Sequence, residues 1–423
     1  MASAQDRERI NFIKHAFLQY YGRQGSRIAL PPDFRSREFA FLAFGEKFMT
    51  RHKAIGSHEE LVNNIRVLAP SDVYYSTAYY AKPAEPMERK GWLGSDLVFD
   101  VDADHIETPC KAKHDMWRCS GCGLVGKGMP PAQCPKCGKA KFEERAWFCD
   151  ECLGAAKNEV LKLLDFLTKD FGIPEDQMLV FFSGHRGYHL HVRTGQVRTL
   201  DESQRKEIVD YVHGLGLSSL LQGVLRQVIK VEHRRERFVA GPQPDDPGWR
   251  GRFSREMRRV ILNEDEDGLV ESGFSRNQAR SIIKGRDERK ERWGEKVLWG
   301  EFEGMHVNEE DWMTIVEKAI SRSALLPEID TVVTTDIHRL IRLPETLNGK
   351  TGLRAMAVSN LDTFDPFADP IAFEGEETVR VTEAPAFRMG NANYGPYVKQ
   401  DVKLPAAAAM LLLCKGVGGP IQK

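Results

Sequence analysis

The sequence predicts an α+β chain with a metal-stapled insertion and a helical, charge-rich subdomain. Three observations lead there. Helix-spaced apolar segments are interspersed with short β-favouring runs. Seven of the eight cysteines crowd between Cys110 and Cys152, six of them as CxxC pairs. From 201 to 323 the pattern turns helical, with arginines crowded at Arg250, Arg252, Arg255, Arg258 and Arg259.

Over 6–21, Ile10, Ile13, Phe17, Tyr20 and Tyr21 recur at helical spacing and Gly22 supplies a stop, which predicts an N-terminal helix. Runs around Phe39 and Phe41, and over 74–80, are rich in aromatic residues and predict strands. Strand side chains alternate faces, so over 97–102 Asp100 and Asp102 project together while Leu97, Phe99 and Val101 project the other way. Leu161, Leu164, Phe166, Leu167 and Phe171 predict a helix over 155–171, stopped by Gly172. Segments 178–182 and 188–192 read as a hairpin around the turn Ser183 to Gly187. Past Pro327, 331–334 reads as β, and Asp336 can cap a short helix ending before Pro344. A turn follows at 348–352, and 404–413 predicts a short helix entered through Pro405. The expected organisation is a discontinuous main domain over 1–200 and 324–395, a zinc-binding insertion at 108–153, the helical subdomain at 201–323, and a C-terminal helix and tail at 396–423.

Sixty Lys and Arg against 61 Asp and Glu give a formal net charge of -1, so nucleic-acid affinity has to come from local patches. The longest apolar run, 406–414, falls far short of the roughly 20 residues that span a bilayer. The charged N-terminus lacks a secretory core, so the expectation is a cytoplasmic protein without membrane association, whose cysteines bind metal.

Cys119, Cys122, Cys134 and Cys137 form two CxxC knuckles, each followed by glycine, the pattern of a zinc ribbon. Cys110, His114, Cys149 and Cys152 flank it and supply a second set of four. With four protein ligands each, both sets suit structural rather than catalytic zinc. The pair Asp100 and Asp102 suits divalent cations, although DxD also occurs on solvated faces and in glycosyltransferases. Ser183, Arg186 and His189 gather a hydroxyl, a guanidinium and an imidazole at one turn, a cradle for phosphate oxygens. The segment 330–353, with Asp330, Arg339, Arg342, Asn348 and Lys350, fits triphosphate contact but lacks the spacing of a Walker loop.

DLVFDVDADH at 96–105, SGHRGYH at 183–189 and DIHRLIRLPETLNGKTGL at 336–353 together resemble the catalytic small subunit of archaeal and eukaryotic DNA primase. REFAF at 37–41, MTRH at 49–52 and YYSTAYYAKP at 74–83 extend the resemblance over most of the chain. It implies a primase catalytic fold of mixed β-sheets flanked by helices. Asp100, Asp102 and Asp330 would be the catalytic acids holding two Mg2+ or Mn2+ ions. Asp336 is the rival third acid, disfavoured by its spacing to the 348 turn and by its use as a helix cap. Ser183, Arg186, His189 and Arg342 would hold nucleotide phosphates, with Glu38 and Arg51 near the same pocket. Asn348 stands where the family usually has histidine and can donate a hydrogen bond but no charge.

The resemblance further implies a structural zinc knuckle, a primase large subunit as partner, a single-stranded DNA template, NTP or dNTP substrates and a nucleoid-associated location. The alternatives are a primase-related polymerase for repair or plasmid replication, and a non-catalytic zinc-ribbon nucleic-acid-binding protein.

Overall fold

The computed structural model of the chain describes residues 4–216, 226–231, 235–293, 309–322 and 325–421. Parts of the expected helical subdomain therefore lie outside the described residues. Two compact units divide the chain, one over 1–161, 175–207 and 328–423, the other over 162–174 and 208–327.

In the first unit the helix Ala4–Gln24 buries Ile13, Phe17, Tyr20 and Tyr21, the stripe its spacing predicts. Two four-stranded antiparallel sheets follow. One runs Leu340–Arg342, Asp72–Ser76, Phe39–Leu42, Thr50–Lys53. The other runs Met356–Val358, Met178–Phe182, Gly187–Val192, Leu97–Asp102. In this last strand Leu97, Phe99 and Val101 are fully buried while Asp100 and Asp102 stay half-buried, as the period of two requires. A smaller sheet of Met116–Cys119, Val125–Lys127 and Phe142–Arg145 carries the ribbon cysteines.

Arg37 is completely buried behind the first sheet. It donates to Asp96 Oδ2 (2.7 Å), to the Tyr79 hydroxyl (2.5 Å) and to the carbonyls of Pro32, Ser76 and Thr77. Every nitrogen of the fork is satisfied, and deleting it would leave the 4% exposed Asp96 carboxylate to the Tyr79 hydroxyl (2.6 Å) and the more distant Arg193 (3.9 Å). Arg37→Ala is expected to destabilise the chain by about 3–5 kcal/mol, read as a lower urea midpoint at unchanged slope.

Several expectations are corrected. The stretch 331–334 is not a strand but the first turn of the helix Thr331–Thr335, because Asp330 caps it and so overrides the β preference of Val and Thr. Asp336 ends that helix rather than starting one, and the chain continues as the strand Leu340–Arg342. The helix expected over 155–171 spans Asp150–Lys169, with Asp150 and Glu151 in its first turn favouring the earlier start. The segment 396–423 is not a separate tail: Tyr397–Pro405 pairs along its length with Glu376–Ala384, and Gly418–Pro420 joins the same sheet. The helix Ala406–Cys414 lies between them, entered through Pro405.

The second unit is not wholly helical, since Arg226–Val231 and Arg235–Ala240 form a hairpin. Its core includes Trp249, Phe253, Met257 and Val260 of the helix Gly248–Asn263, and Trp249 meets Phe166 with ring centroids 5.4 Å apart. The arginine-rich stretch is largely occupied internally. Arg252, 4% exposed, pairs with Asp165 (2.8 Å) and Asp170 (2.7 Å) over the Phe166 ring. Arg259 binds Glu256 and Glu264, and Arg250 binds Asp246. Among the described residues no helix is long and apolar enough to cross a membrane.

Candidate active site

Three carboxylates from two distant stretches meet in the first unit. Asp100 and Asp102 share one face of their strand. The backbone N–H of Asp330 donates to the Asp100 carbonyl (2.9 Å). Asp330 Oδ1 accepts from Val332 N (2.8 Å) and Val333 N (3.1 Å), so the helix cap fixes the orientation of this acid. Burial first, then the charges of Asp102 and Asp330, push the Asp100 carboxyl above its usual pKa against the pull of His189 and Arg339. Like charges crowded this way are relieved by a bound cation. Asp336 is occupied elsewhere: its Oδ1 accepts from His338 N (2.8 Å), and its charge acts on Arg51 and Tyr80.

His189 sits directly across the sheet from Asp100, its Nε2 3.4 Å from Oδ1. Gly187 faces Asp102 in the same register, where a Cβ would lie 2.4 Å from the Val101 carbonyl, so only glycine lets the turn close against the acid strand. Ser183 Oγ accepts from His185 N and Gly187 N (3.3 Å each). Two turns are stapled together: Asn348 Nδ2 donates to the Ser183 carbonyl (3.1 Å), and Thr351 Oγ1 donates to the Gly184 carbonyl (2.5 Å). Asn348 is 2% exposed and thus ties turn to turn, with Oδ1 accepting from Lys350 N.

Arg342 donates to Asp72 and, through Nη2, to the Tyr74 hydroxyl (3.4 Å). Arg51 pairs with both oxygens of buried Glu38 (3.0 and 3.2 Å), which Lys90 also binds (2.5 Å), and keeps 37% of its side chain exposed. Arg186 is 3% exposed. Its Nη1 donates to Asp115 and to the Trp147 carbonyl, and its Nη2 pairs with Asp104, so both terminal nitrogens are held by this protein's own oxygens.

Sequence reasoning missed Asp104, Asp115, His185 and Lys415. Lys415 Nζ lies 2.9 Å from His185 Nε2 and donates to the Ala146 carbonyl (2.6 Å). Burial, then the nearby charges of Lys415, Lys350 and Arg342, hold His185 well below its ordinary pKa. Burial, then Arg186 and Lys350, push Lys415 down to about 7. Burial is the larger cause of both depressions, and the neighbouring cations add to it. The third aspartate of the DxDxD spacing would have flagged Asp104, and its place next to a histidine ligand would have flagged Asp115. Nothing in the apolar C-terminal run marks Lys415.

Two groups of four ligand atoms, each within 4.8 Å of one another, could hold a metal ion: Cys110, His114, Cys149, Cys152 and Cys119, Cys122, Cys134, Cys137. In the ribbon, Cys119 and Cys137 sulfurs are 3.5 Å apart and Cys122 and Cys134 sulfurs 3.6 Å, close to the ~3.8 Å edge of a tetrahedron with 2.3 Å Zn–S bonds. In the other group His114 Nε2 is buried without a hydrogen-bond partner, as a ligand atom would be. The Cys152 thiol, against the pull of burial, and then His114 lower the pKa of the Cys149 thiol, while Cys149 in turn raises that of Cys152, so the metal-free pair holds one proton between two sulfurs. Both sets fit four-coordinate zinc.

The family model for the DNA primase small subunit matches residues 136–359. Relatives named DNA primase small subunit PriS include those of Cenarchaeum symbiosum, 33% identical over 406 residues, and Archaeoglobus fulgidus, 35% identical over 410. The relative of that name in Methanococcoides burtonii is 33% identical over 422 residues. Each alignment covers 96% of this chain and 97% of the relative. With more than half of the chain inside the family model and such relatives matched nearly end to end, this chain belongs to the DNA primase small-subunit family.

Proposed function

We propose that the chain is the catalytic subunit of a DNA primase, which joins nucleotides into short primers on single-stranded DNA for replication and works with a primase large subunit. The observation that carries this reading is the meeting of Asp100, Asp102 and Asp330 beside stapled turns crowded with cations. Asp100, Asp102 and Asp330 would hold two Mg2+ or Mn2+ ions. When bound, these ions activate the 3′-hydroxyl of the growing strand and stabilise the departing pyrophosphate.

The protein's own groups supply the rest. His189 orients the Asp100 carboxylate. Arg342, Lys350 and Lys415 would supply positive charge for the triphosphate, with the Ser183 hydroxyl beside them and Asn348 holding the two turns together, so charge moving onto pyrophosphate meets fixed groups rather than reorienting water. Arg51 stands at the exposed edge, held by Glu38. Arg186 acts from behind, fixing the turn that presents Ser183 and His189. The two cysteine groups are assigned to structural zinc. The first unit would carry catalysis, and the ribbon insertion at 108–153 and the segment 201–323 serve as appended parts.

Lys415 gives this reading a pH dependence. The groups facing it are His185, Arg186, Lys350, Asp115 and Cys414. Its positive charge is lost as pH rises through about 7. The KM for nucleotide is expected to climb above that pH, and Lys415→Arg, charged throughout, to flatten the climb. Initial rates at fixed metal concentration measure it.

The deciding experiment incubates the full chain, with and without the large subunit, on unprimed single-stranded DNA with Mg2+ or Mn2+ and each nucleotide class. Short products made from no primer are expected. Extension of pre-annealed primers alone would shift the reading to a repair polymerase, and salt-sensitive binding without turnover would end it.

A further inference from the structure

Asp115 is the meeting point of the His114 metal group and the Ser183–His189 turn. It directly follows His114. Its Oδ1 accepts from His114 Nδ1 (2.8 Å) and from the Trp147 backbone N–H (2.8 Å). Arg186 Nη1 donates to both oxygens of the same carboxylate (3.0 Å each) and to the Trp147 carbonyl (2.7 Å). On its other side the guanidinium holds Asp104, two residues beyond Asp102. A single carboxylate thus fixes a candidate metal ligand and the arginine of the Ser183–His189 motif.

The chemistry of each half is specific. A histidine that gives its Nδ1 proton to a carboxylate presents Nε2 as the ligand atom, in a set orientation and with raised basicity. Here Nε2 is the buried atom without a protein partner, among Cys110, Cys149 and Cys152. An arginine fork gripped between two carboxylates has little freedom left, and the turn that bears it inherits that rigidity. Arg186 is followed by Gly187, the residue in register with Asp102.

We propose that Asp115 is a positioning residue that couples occupancy of the His114 metal site to the geometry of the turn facing the nucleotide phosphates. The inference rests on the primase reading and adds a regulation to it: a ligand that steadies the turn steadies the zinc, and the reverse. Thermodynamic linkage makes the two effects equal in size. Among the described residues no carboxylate bridges a ribbon cysteine to that turn, so the ribbon zinc serves as an internal reference.

The test loads the full chain with two zinc ions and follows their loss to a competing chelator, assigning the sites by Cys119→Ser. Asp115→Asn is expected to weaken the His114 site about 10–100-fold. Arg186→Lys, which touches no zinc ligand, should weaken it about 5-fold or more, with the ribbon zinc unchanged. Saturating Mg2+ and dNTP should tighten that site in the wild type by a similar factor and leave Asp115→Asn unmoved. At saturating zinc, Asp115→Asn should raise KM for nucleotide more than it lowers kcat. Wild-type zinc affinity in Arg186→Lys, no response of wild-type zinc to nucleotide, or loss of both ions together in either variant would overturn the coupling. Failure of the primase reading would appear separately, as a wild-type chain that makes no primer, because zinc competition needs no turnover.

Discussion

Asp100→Ala and Asp102→Ala are each expected to cut primer synthesis by roughly 10³-fold or more, since removing a ligand of the ions that stabilise the transition state forfeits several kcal/mol. The fold should survive. Asp100 is held above its ordinary pKa by burial and by Asp102 and Asp330, so its charge opposes folding at neutral pH when no cation is bound. Asp100→Asn should therefore melt no lower than the wild type in metal-free buffer, and the wild type alone should gain strongly when Mg2+ is added. Asp330 needs a subtler change, because alanine would also delete a helix cap worth about 1 kcal/mol. Asp330→Ser keeps the cap and loses the carboxylate, and is expected to be as inactive as the Asp100 variant. Asp336→Ala should retain synthesis within a few-fold. Inactivity of Asp336→Ala beside an active Asp330→Ser would reverse the assignment of the third acid.

Zinc removal is the second large effect. Structural zinc contributes on the order of 10–16 kcal/mol at such sites, more than most domains possess in total. The two ions should leave at different rates. In the ribbon Cys137 is exposed and Cys122 half-buried, whereas Cys110, Cys152 and His114 are all buried. A chelator is expected to strip the ribbon first, with new protease cuts confined to 119–137 and primer synthesis reduced only in part. Loss of the second ion should then abolish synthesis. Timed chelation with parallel proteolysis and activity assays reads both phases. Synthesis that dies with the first ion would show that the ribbon itself takes part in template handling.

The parts of this site written in local periodicity were legible. The acid strand declares itself because alternation leaves Asp100 and Asp102 on one side of three buried apolar neighbours, and the hairpin because two β-rich runs flank a glycine turn. The cysteine spacing carries its own chemistry. Where local preference and a tertiary or capping interaction disagree, the sequence misleads: Thr331 to Thr335 are all β-branched, yet Asp330 turns them into a helix. The remainder is long-range by nature. Arg37 finds Asp96 across 59 residues, Arg186 finds Asp115 across 71, and Lys415 finds His185 across 230. No window of sequence contains both partners, so Arg186 reads as a free phosphate ligand until its acids are found.

The contact between Lys415 and His185 also has a bearing on biogenesis. The acid strand, the hairpin and the cysteine loop all leave the ribosome well before residue 415, and can assemble while synthesis continues. Lys415 follows much later, directly after the helix Ala406–Cys414, and Gly418–Pro420 anchors this segment against Glu376–Ala384. A nascent polypeptide that has reached residue 360 would hold its three aspartates together yet lack the Lys415 charge beside His185, so the acid cluster precedes this cationic contact in the order of synthesis.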